Sequence, residues 1–330
     1  MLLRQVGPAG QAKLAAANVL LVGCGALGTV IAESLARAGV GHLTLCDRDI
    51  VETTNLQRQT LFTEADAQAG QSKAVAAVKR LKQVNSEIEL QANAVDVDSG
   101  NLESLAEGKT LLLDGTDNAA TRYLINDVSI KHGIPWIYGA AVATEGRVMP
   151  IVPESGPCLR CVFPSMPAAG ELATCDTVGV LGPVAGVVAN LQAALAIQII
   201  VTGDAPKKLH ALDLWTGNVN AIDMTAAKNP DCPCCGRRDF GFLDTPPGDA
   251  VSLCGRQTIQ IRPKNVTLDL DQFATRLGSL GTIKSLPHLL RFTPTDSKLT
   301  MSIFRDGRAL IQGTDDASEA RSVYSKYIGN

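Results

Sequence analysis

The sequence predicts an α/β fold: a doubly wound, mostly parallel sheet followed by a small C-terminal α+β domain. Three observations carry this prediction. They are a glycine-rich turn between an apolar run and a helix-forming run, an alternation of strand and helix patterns over the first half of the chain, and a cysteine-rich second half. Alternating strands and helices indicate βαβ units, which build parallel sheets. The 330 residues are enough for one large and one small domain.

The first strand–turn–helix unit is the most informative part of the chain. The apolar run Val19–Val22 predicts a buried strand, and Thr29–Ala38 predicts a helix. The turn between them is built from small residues that let the backbone bend tightly and approach a phosphate. They are Gly23, Gly25, Ala26 and Gly28. Since the helix N-terminus also attracts an anion, this context predicts a Rossmann-like nucleotide site.

Two aspartates follow predicted strands. Leu43–Cys46 ends at Asp47, about 20 residues after the glycine-rich turn, where Rossmann-like domains carry a carboxylate that holds a ribose hydroxyl. Asp117 likewise follows the strand Thr110–Leu113. Because ligands of doubly wound sheets bind at the carboxyl ends of the strands, we expect both side chains to face one pocket.

The other elements of the first domain continue the alternation. Helices are predicted at Gly10–Ala17, Ala65–Ala69, Lys73–Val84 and Ala119–His132. Strands are predicted at Glu87–Val95, Ile134–Tyr138, Arg147–Ile151, Leu209–Leu214 and Asn218–Met224. We therefore assign residues 1–240 to one domain and residues 241–249, which contain two prolines, to a linker.

Residues 250–330 are expected to form the small α+β domain, and the sequence does not reveal its role. Its predicted strands are Thr258–Ile261, His288–Phe292, Leu299–Phe304 and Ala309–Gln312. Its predicted helices are Leu270–Leu277 and Ser318–Tyr327.

Five polar residues accompany the glycine-rich turn: Asn55, Arg58, Gln59, Lys73 and Asp117. The pyrophosphate of NAD needs only backbone N–H groups, whereas two cations with a separate carboxylate indicate a triphosphate and Mg²⁺. The sequence contains no Gly-x₄-Gly-Lys-Ser/Thr motif, so the protein is not a P-loop enzyme.

The cysteine pattern predicts a metal site. Four of the nine cysteines form two Cys-x-x-Cys pairs, and in a chain without an apolar leader this spacing favours a metal over disulfides. Two such pairs suit tetrahedral ligation of Zn²⁺ by thiolates, and four protein ligands leave no open position, so a structural zinc-knuckle region is predicted. The ligands are Cys158, Cys161, Cys232 and Cys235; Cys234 could substitute for one, but the spacing favours Cys232 and Cys235.

Charge and hydropathy exclude several classes of function. A net charge of −3 offers nucleic acid no basic surface, and the N-terminus lacks the apolar run of a secretory signal, so we expect a cytoplasmic protein. The uncharged segment Val178–Val201 is long enough to cross a bilayer. Its glycines, proline and amide side chains favour instead a loop that leads into a core or interface helix.

These motifs occur together as they do in one enzyme family. The glycine-rich turn, Asp47, Asn55-Leu56-Gln57-Arg58-Gln59, Lys73 and Asp114-Gly115-Thr116-Asp117-Asn118 resemble the ThiF/MoeB/HesA adenylyltransferases, which are relatives of the ubiquitin-activating enzymes. The likeness continues through Tyr138–Ala141, the two cysteine pairs and Gly179–Pro183. It covers residues 6–237.

The resemblance implies a reaction of ATP with the C-terminal Gly-Gly carboxylate of a ubiquitin-fold sulfur carrier protein, giving a carrier acyl-adenylate and pyrophosphate. The cofactors it implies are ATP, Mg²⁺ and Zn²⁺. Arg58 and Lys73 would pair with the phosphates, Asp117 would bind Mg²⁺, and Asp47 would hold the ribose. The remaining polar positioners would be Asn55, Gln59 and Asn118.

The resemblance also implies partners. They are the carrier protein, a second copy of the chain in a homodimer, and a downstream sulfurtransferase, but neither nucleic acid nor a membrane. In some relatives a cysteine at the place of Cys175 becomes linked to the carrier or takes part in sulfur transfer, and in others it is dispensable; both roles stay open. From its position alone, the C-terminal domain is a candidate to grip the carrier or a downstream enzyme.

The sequence departs from the family pattern at some positions, and two alternative functions remain. The family's N-terminal arginine has no match, because Arg4 does not align with it, and Leu195 and Gln198 stand where the interface helix carries Glu and Lys. One alternative is a non-catalytic scaffold of an activating complex. The other is an NAD-dependent oxidoreductase, which would leave the cations, Asp117 and the cysteine pairs unexplained.

Overall fold

The computed structural model describes residues 3–167, 178–246, 250–253, 257–263, 266–286 and 289–329. The chain divides into two compact units, one of residues 1–68 and 72–246 and the other of residues 69–71 and 247–330. Cys175 lies outside the described residues.

The first unit is built on an eight-stranded sheet with the order β3-β2-β1-β4-β5-β6-β7-β8. The first five strands along the chain pair in parallel, and β5 to β8 pair antiparallel. The predicted doubly wound, mostly parallel sheet is therefore confirmed. The strands are β1 (Asn18–Val22), β2 (His42–Cys46), β3 (Glu89–Asn93), β4 (Leu111–Asp114), β5 (Trp136–Val142), β6 (Glu145–Ile151), β7 (Lys208–Asp213) and β8 (Asn218–Asp223).

Helices cover both faces of this sheet because alternate residues of each strand point to opposite sides. Val19 and Leu21 of β1 belong to one buried apolar cluster, with Ile31 of α2. Leu20 and Val22 belong to a second cluster, which includes residues of α5 and α6. The helices are α1 (Gly7–Ala16), α2 (Ala26–Ala38), α3 (Glu64–Gln68), α4 (Lys73–Val84), α5 (Leu102–Ala106), α6 (Ala119–His132), α7 (Leu159–Val162), α8 (Gly182–Thr202) and α9 (Gly241–Asp244).

The chain reverses its direction of travel across the sheet between β1 and β4. From β1 it runs to β2 and β3, and then returns to β4 and β5 on the other side of β1. Ligands of doubly wound sheets bind at such a switch point, outside the carboxyl ends of the strands. The glycine-rich turn follows β1 and the Asp114–Asn118 loop follows β4, so both lie at this point.

Helix α8 is long and apolar enough to span a membrane by length and composition, but half of its most apolar window is buried inside the protein. It packs against α2, β5 and β6. Leu195 of this helix is buried in the core of the first unit. One face of this helix therefore packs on the core of the first unit, which agrees with the predicted core or interface helix.

The second unit is a six-stranded antiparallel sheet with the order β11-β12-β13-β14-β10-β9. Strand residues such as Phe292 and Ile311 form one core with helix residues such as Phe273 and Tyr324, which confirms a small α+β fold. Asp269 and Asp316 cap the two helices. The elements are β9 (Ala250–Leu253), β10 (Thr258–Ile261), α10 (Leu270–Leu277), β11 (Gly281–Leu286), β12 (Leu289–Pro294), β13 (Thr300–Phe304), β14 (Ala309–Gln312) and α11 (Ala317–Tyr327).

Elements with a weak apolar pattern were not predicted from the sequence. Strand β11 lies at the edge of its sheet and exposes Thr282, Lys284 and Ser285, so only Ile283 and Leu286 give an apolar signal. Strand β5 continues beyond Tyr138 to Val142 because its small residues pair with β6. Residues 241–244, expected in a linker, form α9, and the Phe242 N–H donates to Asp127 Oδ2 of α6 at 3.0 Å.

A pair of glycine variants tests the packing of the first unit. A Cβ added at Gly28 would lie 1.9 Å from the Gly23 carbonyl oxygen, whereas one added at Gly186 would meet nothing within 4 Å. Gly28→Ala should lower the free energy of unfolding by about 1–3 kcal/mol or more. Gly186→Ala, inside α8, should raise it by about 0.5–1 kcal/mol. Urea denaturation measures both, and equal effects would contradict the geometry.

Candidate active site

Three glycines bring the loops after β1 and β4 into backbone contact. Gly23 has a φ of +93°, and a Cβ there would lie 2.5 Å from the Gly115 carbonyl oxygen. A Cβ on Gly115 would lie 2.4 Å from the Gly23 carbonyl oxygen. Together with Gly28, these residues are therefore required by the packing of the protein itself.

Gly25 differs from these three glycines. The nearest atoms to a Cβ built on it, Gln59 Nε2 and the Gly115 carbonyl oxygen, both lie 3.9 Å away. Gly25 is also the N-cap of α2, and no side chain caps this helix. The open side of Gly25 and the uncapped helix N-terminus fit the close approach of a phosphate.

Asp47 is tied to the glycine-rich turn. Its Oδ2 accepts a hydrogen bond from the Cys24 N–H at 2.6 Å, and its Oδ1 accepts one from the Asp49 N–H at 2.7 Å. Burial raises the pKa of this carboxyl, and the Lys73 cation opposes that rise. The carboxylate thus lies at the end of β2 where the sequence placed a ribose ligand.

The predicted cations lie beside this turn. Lys73 is buried at the start of α4, with Nζ 3.0 Å from Asp49 Oδ2. The Arg58 guanidinium donates to the Thr54 carbonyl at 3.3 Å and to Asn55 Oδ1 at 3.2 Å. Neighbouring protein oxygens therefore hold both cations.

Two buried amides in the same region lack full hydrogen bonding. Asn55 and Gln59 are each 3% exposed, and Asn55 Nδ2 and Gln59 Oε1 have no hydrogen-bond partner. An unpaired buried polar atom costs about 1–3 kcal/mol, so such atoms need an explanation. A nucleotide bound here would supply one, because its phosphates and ribose carry both acceptors and donors.

In the loop after β4, Asp117 is exposed, whereas the next residue, Asn118, is held by hydrogen bonds. Asn118 caps α6, with its Oδ1 accepting from the Ala120 N–H at 2.8 Å and the Thr121 N–H at 3.4 Å. The side-chain oxygen of Asn118 thus organises the helix start. Exposed carboxylates such as Asp117 are typical ligands of Mg²⁺.

Sequence reasoning missed Arg48, which lies directly after Asp47. Its Nη1 lies 3.3 Å from both carboxylate oxygens of Asp96, and its Nε lies 3.9 Å from Asp49. Burial lowers the pKa of Arg48, but Asp96, Asp49 and Asp117 together raise it above its ordinary value. The only signal in the sequence was its position beside Asp47, because Asp96 is remote along the chain.

The four predicted zinc ligands come together. The sulfur atoms of Cys158, Cys161, Cys232 and Cys235 all lie within 4.8 Å of one another. Three of the separations are 3.9, 3.6 and 3.4 Å. A tetrahedral site with Zn–S bonds of about 2.3 Å requires sulfur atoms about 3.8 Å apart. The donors and their spacing therefore fit zinc.

Asn126 of α6 connects the two cysteine pairs. Its Oδ1 accepts from the Leu159 N–H at 2.8 Å, and its Nδ2 donates to Cys234 Sγ at 3.2 Å. Cys234 thus contacts Asn126 and is not part of the four-sulfur cluster. Burial and the neighbouring Cys161 thiol raise the pKa of Cys235 to about 12, so a cation is needed to keep this set of sulfurs deprotonated.

Known proteins resemble this chain along most of its length. The sequence pattern of the ThiF family matches residues 1–234. The sulfur carrier protein ThiS adenylyltransferase of Bacillus subtilis is 40% identical over 328 residues, covering 98% of this chain and 96% of that protein. The SAMP-activating enzyme E1 of Haloferax volcanii is 37% identical over 241 residues, covering 72% of this chain and 86% of that protein.

A solved structure agrees with these sequence matches. The crystal structure of Escherichia coli MccB with ATP has a TM-score of 0.61 and 26% identity, and the match covers 69% of each chain. The resemblance predicted from the motifs is thereby confirmed. Since the family pattern spans residues 1–234 and carries the site described above, this chain belongs to the ThiF family.

Proposed function

We propose that this chain is an adenylyltransferase that uses ATP to activate the C-terminal Gly-Gly carboxylate of a ubiquitin-fold sulfur carrier protein. The observation that carries the proposal is the grouping at one switch point of an open phosphate turn, two cations and an exposed carboxylate. The names of the Bacillus subtilis and Haloferax volcanii relatives, a ThiS adenylyltransferase and a SAMP-activating enzyme, support a carrier of this kind.

The chemistry of adenylation suits these residues. A terminal carboxylate has a pKa near about 3.5, so the nucleophile is already ionised at neutral pH and needs no general base. The enzyme must instead neutralise the phosphates and align the carboxylate with the α-phosphorus. Arg58 and Lys73 supply the positive charge, and the first-turn N–H groups of α2 supply further donors.

Asp117 is the proposed ligand of the Mg²⁺ ion that accompanies ATP. The ion would contribute positive charge next to the phosphates. The short distance from Lys73 to Asp49 means that the lysine is already oriented before the nucleotide binds. Asp47 would accept a hydrogen bond from the ribose.

Zinc is the proposed structural metal of the cysteine cluster. Four thiolate ligands would fill its coordination sphere, so the metal stabilises the fold and takes no part in the reaction. The homodimer, the downstream sulfurtransferase and the cytoplasmic location belong to the proposal through the family resemblance and the sequence alone. The role of Cys175 rests on the same resemblance.

An apolar surface beside the site is the proposed docking surface for the carrier. Strand β6 is antiparallel to β5, and β7 is antiparallel to β6, so β7 runs in the same direction as the parallel strands. The β7–β8 turn therefore lies at the end of the sheet where the parallel strands end. In this turn region Trp215 is 79% exposed and Val219 is 70% exposed. Strand β8 is also the edge of the sheet, where a protein partner can pair or pack. The Gly-Gly tail of a carrier bound there would extend across the carboxyl end of the sheet, from β8 toward the nucleotide.

Carrier-dependent exchange of labelled pyrophosphate into ATP tests the reaction. Exchange with one member of a panel of Gly-Gly carriers is expected, and Asp117→Ala should reduce it at least about 100-fold because charge stabilisation at the phosphates is lost. Glu107→Ala is the control, since Glu107 is exposed before the start of β4 at the opposite edge of the sheet. Absence of exchange with every carrier would support the scaffold or oxidoreductase alternative.

Metal analysis tests the cysteine cluster. The purified protein should contain about one zinc per chain, and Cys161→Ser should lower both the zinc content and the thermal midpoint because metal binding contributes to folding. Cys234→Ser is the matched control, since Cys234 lies outside the four-sulfur cluster. Zinc loss in Cys234→Ser with retention in Cys161→Ser would reverse the ligand assignment.

The docking surface is tested by Trp215→Ala and Val219→Lys. Each should raise the KM for the carrier about tenfold, a typical effect of removing an apolar contact, and leave the KM for ATP unchanged. Glu107→Ala, which lies before the start of β4 at the opposite edge of the sheet, is again the control. An unchanged carrier KM, or dissociation of an oligomer instead, would reject the carrier as the occupant.

A further inference from the structure

The start of the loop that carries Asp117 is held by a buried carboxylate with no assigned role in the reaction. Asp114, at the end of β4, is completely buried. Its Oδ1 accepts from the Thr116 N–H at 2.8 Å and from Thr116 Oγ1 at 2.7 Å. Its Oδ2 accepts from the Gly139 N–H at 3.3 Å. The carboxylate thus fixes the first turn of the loop and joins it to β5.

Arg122 of α6 completes this arrangement from the other side. Its Nε donates to Asp114 Oδ2 at 2.9 Å. Its Nη2 donates to the Thr116 carbonyl at 2.6 Å and to the Gly139 carbonyl at 3.0 Å. One rigid guanidinium therefore contacts the carboxylate, the residue before Asp117 and the neighbouring strand. A lysine could not make these bonds, since it lacks the planar fork of donors.

Gln192 adds a contact from α8. It is completely buried, and its Nε2 donates to the Asp114 carbonyl at 2.8 Å and to the Ile137 carbonyl at 3.3 Å. A Cβ at Gly139 would lie 2.3 Å from Gln192 Oε1, so only glycine leaves room for this amide. Helices α6 and α8, which pack on opposite faces of the sheet, thus both form hydrogen bonds with the carboxyl end of β4.

The buried Asp114–Arg122 ion pair carries a desolvation free energy that a purely structural role does not explain. Removing an ion pair from water is expensive, and apolar residues of similar volume often stabilise a core as well or better. What the pair supplies is a fixed backbone, since every bond of Arg122 is to the loop or to the strand beside it. Asp117 is exposed between Thr116, which the network holds, and Asn118, which caps α6.

We propose that Asp114, Arg122 and Gln192 act as a positioning clamp that holds Asp117 in place to bind the Mg²⁺ of Mg·ATP. The proposal rests on the proposed adenylation function. Asp114 and Gln192 are completely buried, and the Arg122 guanidinium is bonded to Asp114, Thr116 and Gly139, so the three are positioning residues that act through Asp117.

The test compares Arg122→Lys and Gln192→Met with wild type. Calorimetry measures the affinity for a non-hydrolysable ATP analogue with and without Mg²⁺, and pyrophosphate exchange is titrated with Mg²⁺ at saturating ATP and carrier. Arg122→Lys should raise the apparent Mg²⁺ constant about tenfold, which corresponds to about 1.4 kcal/mol. Gln192→Met should shift it less, in the same direction. Analogue affinity without Mg²⁺ should not change.

Arg276→Lys in the second unit is the matched control. The Arg276 guanidinium also donates to two backbone carbonyls, those of Tyr327 and Ile328, but it belongs to the other compact unit. It should leave the Mg²⁺ dependence unchanged. Thermal unfolding of each variant separates lost stability from lost positioning, because a merely structural role lowers the fraction of active protein equally at every Mg²⁺ concentration.

Two outcomes overturn the clamp. One is an unchanged Mg²⁺ constant in Arg122→Lys, and the other is an effect confined to the KM for the carrier, which would assign Arg122 to carrier binding. A wild-type protein that catalyses no exchange would reject the proposed function. The calorimetric comparison would still decide on the clamp, so the two failures are distinguishable.

Discussion

The close approach of two backbone loops at the switch point of the sheet is the constraint on which the site depends. The Gly115 N–H donates to the Val22 carbonyl at 2.7 Å, and neither Gly23 nor Gly115 has room for a Cβ. Because the two loops touch, the phosphate-binding turn and the loop that carries Asp117 share one edge of the sheet. Side chains at these glycines would force the two loops apart.

Helix α6 connects the loop that carries Asp117 to the cysteine cluster. It begins at Asn118 beside the site, and Arg122 ties its first turn to Asp114. Further along, the Tyr123 hydroxyl donates to the Phe163 and Ser165 carbonyls at 3.0 and 2.8 Å, and Asn126 joins the two cysteine pairs. The four-sulfur cluster is therefore linked to the same helix whose N-terminus follows the loop that carries Asp117.

Charges in the site are largely neutralised before any ligand arrives. Lys73 pairs with Asp49, Arg48 with Asp96 and Arg122 with Asp114. Partly buried cations that are already oriented lose little freedom on binding phosphates, and they act in a region of low dielectric where charge interactions are strong. Asp117 differs from these partners because it is exposed, which suits a carboxylate whose partner arrives with the nucleotide.

The features that depend on residues close together in the chain could be predicted from the sequence. Local periodicity predicted helices such as Lys73–Val84 and Ala119–His132 with their observed bounds, and the glycine and cysteine spacings predicted the nucleotide turn and the four-sulfur cluster. The contacts between distant residues follow from the fold: Arg48 meets Asp96 across 48 residues, and Gln192 meets Asp114 across 78. Such pairs carry no local signal, because the sheet and the helices that pack on it, and not the adjacent sequence, bring their side chains together.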